Sequence, residues 1–418
     1  MSECRTMLEQ RLHRVRETTK LKPPDRVPLI PSLGNYYVYS KGISMQQAMT
    51  DPTCLEASVR AYMAEVTPDM LNAIGLFPIS AMETSGFTAG RWPGPYYGLP
   101  ENTPYQYLDT QYLEDEDYDL FLADPSRFIL KKLLPKKHTA FAGLAEIEPY
   151  MLCDSAIFHM SVFARPEVRS SLEALIRTGE QTAAFQKKLD ALNRLGPECG
   201  FPVYGEAAAM APFDSFADHI RGLLPACMDC VMNPERLDLA LQRWGDVMIP
   251  LQTRRAQEAG AEYVFMPLHC GVDEFMSPAN YERFYWSGLK RAILSLIDAG
   301  MTPIIFCEGR YQTRLHTLTD VPRGKVIYLF ENVDFDAAKR ILGDTACIAG
   351  GMPSSLLSFG DRQQIIDETK RLIDTCAPGG GYIMSNSISL DHVPPENMEA
   401  WRDTVFTYGC YGSASQTG

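Results

Sequence analysis

A (β/α)8 TIM barrel is the fold this sequence predicts, and three observations within one stretch predict it. Between Tyr263 and Asp334 the chain reads YVFMPLHCGVDEF, then a helical run, then TPIIFCEGRY, then GKVIYLFENVD. Short apolar runs bounded by turn signals are what strands buried on both faces of a parallel sheet look like. Each run ends in ionisable residues: His269, Cys270 and Asp273; then Cys307, Glu308, Arg310 and Tyr311; then Glu331, Asn332 and Asp334. Chemistry placed just past successive parallel strands points to the C-terminal face of an α/β barrel.

The remaining elements follow in order. Residues 1–22 carry an apolar stripe of Met7, Leu8, Leu12 and Val15, so an N-terminal helical extension is expected over 1–25. RVPLIP supplies a first strand at 28–31, with Asn35, Tyr36 and Tyr37 just beyond it. A helix through CLEASVRAYMAEV leads to a second strand at 69–72. Residues 80–130 are rich in Gly, Pro, Tyr and acids and lack periodicity; they read as an irregular insertion, and so long a loop is functional or an interaction segment. Its acidic run (Glu114, Asp115, Glu116, Asp117) reads as a solvated face. Trp92, Tyr96 and Tyr97 either wall a pocket mouth or pack the loop down.

A helix over 165–195 is set by Leu172, Leu175, Ile176 and Leu189, and a third strand at 202–206 ends in Glu206. Phe213, Phe216, Ile220 and Leu223 then mark another helix. Cys227 and Cys230 form a CxxC without a second pair, so buried thiols fit better than a zinc ribbon. From 235 onward helices and strands alternate regularly. Helix 235–257 precedes strand 263–268. The next helix starts at Pro278 behind a Ser277 cap and runs to Gly300. Strand 303–307, helix 311–319, strand 325–330, helix 335–342, strand 346–349, helix 361–376 and strand 381–385 complete the series. Eight strands result, and the whole of 1–418 reads as one barrel domain.

Composition sets the class. The chain has 418 residues, 45% hydrophobic and 22% charged, which suits a globular enzyme. Its net charge of -13, from 39 basic and 52 acidic residues, argues against a broad nucleic-acid surface and for a small-molecule substrate or a locally docked partner. Homo-oligomerisation is left open. The eleven cysteines show no disulfide framework, the N-terminus lacks a signal-peptide core, and no apolar run reaches membrane-spanning length. A cytoplasmic protein with mostly free thiols is therefore expected.

Glu308, at the end of TPIIFCE, can bind a metal, exchange a proton, or pair with Arg310. His269 lies beside Cys270 and Asp273 at another strand end, while Cys307 alternates to the packing side of its strand. With Glu331 from the next strand, Glu308 and His269 make an oxygen/nitrogen set suited to zinc, specific only through the fold. The pieces AGGMP and PGGGY lack phosphate-loop spacing and read as barrel turns; no dinucleotide fingerprint or GxSxG elbow is present.

The C-terminal half, through FMSPANYERFYWSGLKRAI, TPIIFCEG, GGMPSSLL, GGYIMS, PPEN and YGCYG, resembles the uroporphyrinogen decarboxylase superfamily, and its corrinoid-dependent methyltransferase branch above all. The resemblance runs from about 200 to 411 and is diffuse from 25 to 200. It implies the same barrel. The decarboxylase proper carries an Arg-Gln-Ala-Gly-Arg signature; the matching region here, PSLGNYYVYSKG, lacks those arginines, so porphyrin decarboxylation is not expected. The thiol-methylating branch binds zinc with a His-x-Cys pair and a distant Cys. Here Phe306-Cys307-Glu308 stands at the pair, and Ser385, Asn386 and Ser387 stand near the distant position.

A carboxylate-type site remains. The resemblance then implies methyl transfer (O-demethylation of a methoxylated aromatic, or a methylamine-type substrate) to a corrinoid, a cobalamin held by a separate partner protein. Zinc or a general acid would activate the leaving group. In this reading Glu308, His269, Asp273 and Arg310 are catalytic, Glu308, His269 and Glu331 are the metal set, and Tyr36, Trp92, Tyr311 and Asn386 contact substrate, Arg310 holding a carboxylate. Two alternatives are a decarboxylase or other lyase of a small carboxylated substrate, using Arg310 and Asp273, and a non-catalytic corrinoid-binding accessory protein.

Overall fold

In the computed structural model, which describes residues 2–153 and 157–412, the barrel closes through eight staves. The first is held at Leu29. The second is β1 (Leu71–Asn72). The third is made of two pieces, β2 (Val203–Tyr204) and β3 (Ala207–Ala208), separated by Gly205 in the left-handed region (φ +86). The other five are β4 (Tyr263–Leu268), β5 (Thr302–Arg310), β6 (Ile327–Asn332), β7 (Cys347–Met352) and β8 (Tyr382–Asn386). β3 to β8 pair in parallel, neighbour to neighbour, and β1 pairs with β2. A parallel bridge between Leu29 and Met384 joins the first stave to β8 and closes the ring.

The register decides which side chains fill the barrel. Ile304 and Phe306 of β5 sit level with Ile327 and Leu329 of β6. These sit level in turn with Cys347 and Ala349 of β7, and Ala349 with Ile383 of β8. With Ile30, Met70, Tyr204 and Tyr263 they form one buried interior cluster. Intervening residues such as Ile305, Tyr328 and Ile348 face outward into the larger core beneath the helices. Both faces are therefore apolar, which is why these strands read as unbroken hydrophobic runs.

The N-terminal stripe has a defined use. Helix α1 (Ser2–Thr19) places Val15, and the turn after it places Leu21, against the lower end of that interior cluster. The helix is tied down by Arg16 to Glu262 at 2.6 Å, just before β4. Arg14 meets the fully buried Asp69 at 2.5 Å, and Arg26 meets the same carboxylate at 2.7 Å. Asp69 also accepts from the Leu29 backbone N–H at 2.8 Å, while its own N–H donates to the Leu29 carbonyl at 2.8 Å. One carboxylate thus replaces the ladder that the short first stave lacks.

Some elements differ from expectation. The 311–319 segment forms two short 3₁₀ turns, Gln312–Arg314 and Thr317–Thr319, because Arg314 is drawn inward to the carbonyls of Gly271, Val272 and Met276. The helix from Pro278 is interrupted by a π-turn at Tyr281–Trp286. Gly350 and Gly351 of AGGMP lie inside β7 and not in a turn. A Cβ on Gly350 would sit 2.5 Å from the Phe330 carbonyl oxygen, so glycine permits close strand approach there. The 80–130 segment is folded down: Trp92, Tyr112, Leu113, Tyr118, Phe121 and Phe128 are all buried in the main core. Its acidic run is partly engaged, with Asp115 on Arg221 at 2.5 Å and Asp117 on Lys132 at 3.2 Å.

Among the described residues all eleven cysteines are free and no helix is long and apolar enough to cross a membrane. The Asp69 clamp carries a test. Asp69→Asn leaves two arginines short of a buried counter-charge, and breaking a buried pair from one side should remove about 3 kcal/mol of unfolding stability, read from urea denaturation. A loss below ~1 kcal/mol would show that the backbone bonds alone close the ring.

Candidate active site

Continuing the interior alternation by one layer brings the chain to polar residues. Two positions past Phe306 is Glu308, and two past Leu329 is Glu331. Two past Ile383 is Ser385, and His269 directly follows β4. All stand at the C-terminal ends of their strands, where an α/β barrel opens. A register shift in β5 between Cys307 and Arg310 sets the rim. Gly309 makes it possible: its φ is +88, and a Cβ would lie 2.7 Å from Val272. The Gly309 N–H donates to Glu331 Oε2 at 2.6 Å, so the bulge and the next strand's carboxylate hold each other. His269 Nδ1 lies 3.8 Å from Glu308 Oε2. Beneath His269, the buried Asp214 carboxylate accepts from the N–H groups of His269 (3.3 Å) and Cys270 (2.8 Å) and from the Tyr285 hydroxyl (2.5 Å), fixing the end of β4.

A third wall comes from a π-turn, Ala217–Arg221, which carries Asp218. Such turns displace side chains from the helical spacing and are common at functional sites. The Tyr107 hydroxyl donates to the Asp218 carbonyl, and Asp109 accepts from the Leu223 N–H at 3.0 Å. Together these residues enclose a cleft of ≈ 530 Å³ lined by Tyr107, Asp109, Asp218, His269, Glu308 and Glu331, with Glu274, Phe275 and Ile388 at its edge. Burial pushes the Asp218 carboxyl up to about 7; Asp214, Asp109 and Glu308 push the same way, against His269. Glu308 is also raised, by burial first and then by Glu331 and Asp214, with His269 opposing. Asp218, so raised, is a candidate proton donor near neutrality, and Glu308 is shifted in the same direction.

The sequence model of the uroporphyrinogen decarboxylase (URO-D) family matches residues 161–408, more than half of the chain. The chain belongs to the uroporphyrinogen decarboxylase family. It is 31% identical over 154 residues to a uroporphyrinogen decarboxylase from Syntrophotalea carbinolica, a match covering 36% of this chain and 43% of that relative. The matched stretch thus spans less than half the length of the curated relative. Among solved structures, a methyltransferase from Methanosarcina mazei superposes with a TM-score of 0.60 at 15% identity, covering 94% of this chain and 98% of that one, which shows the shared barrel.

Within this family barrel, the structure brings Glu308, His269 and Glu331 to one cleft but does not gather them as metal ligands. Glu331 is turned to the Gly309 N–H, and among the described residues no three His, Cys, Asp or Glu side chains are grouped to hold a metal ion. Asp273 and Arg310 lie beside the cleft and face each other at 3.8 Å; Asp273 also accepts from Thr313 Oγ1 at 2.7 Å and meets Arg314 at 3.5 Å, which makes it an organiser of the rim.

The expected substrate contacts lie elsewhere. Trp92 is buried against Tyr96 at 5.3 Å, Tyr311 is buried beside the Tyr281–Tyr285 stack, and Asn386 hydrogen-bonds both backbone groups of Ser32. Tyr36 lines a separate cavity of ≈ 840 Å³ between the first and last staves, with Tyr39, Tyr62 and His392. That cavity is larger and also borders strand ends, at Ser354 and Ser389; the acid-lined cleft differs in holding the raised carboxyls Asp218 and Glu308. Sequence reading missed Asp218, Asp109 and Tyr107. Asp218 sits between Phe216 and Ile220 in what reads as an ordinary amphipathic helix, and only the π-turn aims it at the cleft.

The charge on Asp218 has a measurable sign. Its folded value of about 7 lies above the ordinary 3.8, so the folded state favours the protonated acid. That contribution is complete near pH 4 and is lost as pH rises through 7. His269, Asp214, Asp109, Glu308, Tyr107 and the buried Lys137 act on it from its surroundings. Asp218→Asn should therefore match the wild type in denaturation midpoint at pH 4 and exceed it at pH 8. Equal midpoints at pH 8 would show an ordinary, solvated carboxylate.

Proposed function

We propose that this chain is a methyltransferase that moves a methyl group between a small O- or N-methylated substrate in the barrel mouth and a corrinoid held by a separate protein. The observation that carries the reading is the group of carboxyls with raised pKa, Asp218 and Glu308, around the strand-end cleft. Breaking a carbon–oxygen or carbon–nitrogen bond to methyl requires the heteroatom to leave as a protonated, neutral group. Burial shifts Asp218 and Glu308 toward the protonated acid at that place, and His269 lies within 3.8 Å of Glu308 to exchange a proton with it. Asp214 keeps His269 in position through the backbone.

The corrinoid, when its carrier docks, supplies the centre that accepts or gives the methyl group. The cleft rim suits a docked face: Phe275 is 48% exposed and Ile388 is 45% exposed at its edge. The named methyltransferase with the same barrel, matched along nearly its whole length, supports this reading. The named decarboxylase relative keeps decarboxylation of a small carboxylated substrate as the alternative. Against it, among the described residues no lysine or arginine lines the cleft to hold a carboxylate, and Arg310 faces Asp273 at 3.8 Å.

Glu308→Gln tests the proposal. Methyl transfer to a reduced corrinoid protein should fall by roughly 10²–10⁴-fold if Glu308 is the proton donor. Near-wild-type turnover would remove Glu308 from the mechanism. Release of carbon dioxide without methyl transfer would favour the alternative, and corrinoid-protein binding without turnover of any substrate would favour an accessory role.

A further inference from the structure

The cavity of ≈ 840 Å³ lies among the segments that follow the first, seventh and eighth staves, and its size suits a small organic ligand. One wall is the helix Glu56–Val66, which brings Ser58 and Tyr62 to it one turn apart. Another is the short helix Ser354–Phe359 together with residues 389–395. Those two pieces are clamped to each other: Ser354 Oγ donates to the Ile388 carbonyl at 2.6 Å, and Ser358 Oγ donates to the His392 carbonyl at 2.8 Å. Tyr62 is braced edge-on by Tyr36 and Tyr37, with ring centroids at 5.7 and 5.4 Å. The cavity is thus walled by packed elements.

Two buried hydroxyls line this cavity without partners. Ser58 is 1% exposed and Tyr62 is 2% exposed, and neither hydroxyl has a hydrogen-bond partner among the described residues. Buried helical hydroxyls elsewhere turn back to the carbonyl four residues earlier: Thr19 to Val15 at 2.9 Å, Thr369 to Ile365 at 2.6 Å and Thr404 to Ala400 at 2.7 Å. Ser58 forgoes that bond. Buried polar groups are nearly always satisfied, so an unpartnered pair on a cavity wall calls for ligand atoms. Each of these neutral hydroxyls can both donate and accept, and a ligand hydroxyl meets either demand.

The charged groups of the lining are already engaged. Lys41 faces Glu65 at 3.8 Å, and Asp391 accepts the Asn35 N–H at 2.8 Å. One lysine against two acids disfavours an anion, and a cation meets acids that are already occupied. Aromatic rings complete the rim: His392 stacks on Tyr39 at 4.6 Å, and Phe359 is 90% exposed. A flat ring face covers the C–H face of a saturated ring, which is apolar between its hydroxyls. We propose that this cavity binds a neutral carbohydrate, a hexose ring or its glycoside, with Ser58 and Tyr62 bonding its hydroxyls and Phe359 against its C–H face. This site is separate from the acid-lined cleft and does not depend on methyl transfer.

Isothermal titration of the whole chain with the methyl glycosides of glucose, galactose and mannose tests this, each sugar set beside its amino-sugar and its uronate. At least one neutral glycoside should bind in the millimolar range or tighter, and several-fold more tightly than its two charged counterparts. Ser58→Ala and Tyr62→Phe should each weaken that glycoside by roughly two- to tenfold, the loss of one neutral hydrogen bond. Neither hydroxyl bonds within the fold, so both variants should keep the wild-type melting temperature. Phe359→Ala removes an exposed ring and should weaken the same glycoside without touching the core.

Failure of all three neutral glycosides to bind at tens of millimolar overturns the proposal. So does equal or tighter binding of the amino-sugar or the uronate, which would make the site one for ions. Indifference of glycoside binding to both Ser58→Ala and Tyr62→Phe also overturns it, since the sugar would then lie elsewhere. Binding needs no turnover, so the two readings fail separately. Glycoside binding without methyl transfer leaves the carbohydrate site standing, and methyl transfer without glycoside binding removes it alone.

Discussion

A single buried carboxylate holds the barrel shut. Asp69 receives Arg14 from the N-terminal helix and Arg26 from the approach to the first stave, and exchanges two hydrogen bonds with Leu29. The first two staves are too short to close a ring by ladder bonds alone. Closure at Leu29–Met384 places β8 beside the first stave, and that in turn places Ser385 and Asn386 in register with the rim. Everything at the mouth therefore inherits its geometry from an ion cluster at the second stave. Arrangements of this kind are worth little if built loosely, because desolvating the ions is expensive; three backbone or guanidinium partners per carboxylate are what make it favourable.

The mouth shows the opposite economy. Among the described residues its acids form no ion pair with lysine or arginine, although the charge of Lys137 acts on Asp218, and burial shifts Asp218 and Glu308 toward their protonated forms. Stability is given up there for reactivity, a trade that active sites make repeatedly. Asp214 is the element that keeps the trade local. By accepting the backbone N–H groups of His269 and Cys270 and the Tyr285 hydroxyl, it anchors the backbone at the end of β4 from which His269 projects.

The sequence displayed the barrel more readily than the site. β4 to β8 are legible because both their faces are buried, and the local pattern and the tertiary environment agree. Glu308, His269 and Glu331 are legible for a related reason: each is the first polar residue after such a run. Trp92, Tyr311 and Asn386 look like ligand contacts by residue type but are held by packing and by backbone hydrogen bonds, whereas Tyr36 lines a separate cavity; residue type alone does not distinguish these cases. Asp218 is hidden by the π-turn, since its aim depends on one extra residue in a turn that composition does not reveal. Asp109 and Tyr107 are hidden because their segment is placed by long-range bonds, such as those of Tyr112 and Leu113 to the Ile220 carbonyl.

Val15 and Leu21 fill the lower end of the interior cluster, so that end of the barrel is packed shut by side chains. Whatever reacts above Phe306 and Leu329 must come and go by the side on which a second macromolecule would also arrive. Two reactants sharing one doorway cannot be exchanged at random: the one that lies deeper has to enter first and depart last. Under the proposed reaction, a packed floor at the first helix would thus set an order of arrival, far from any reacting atom.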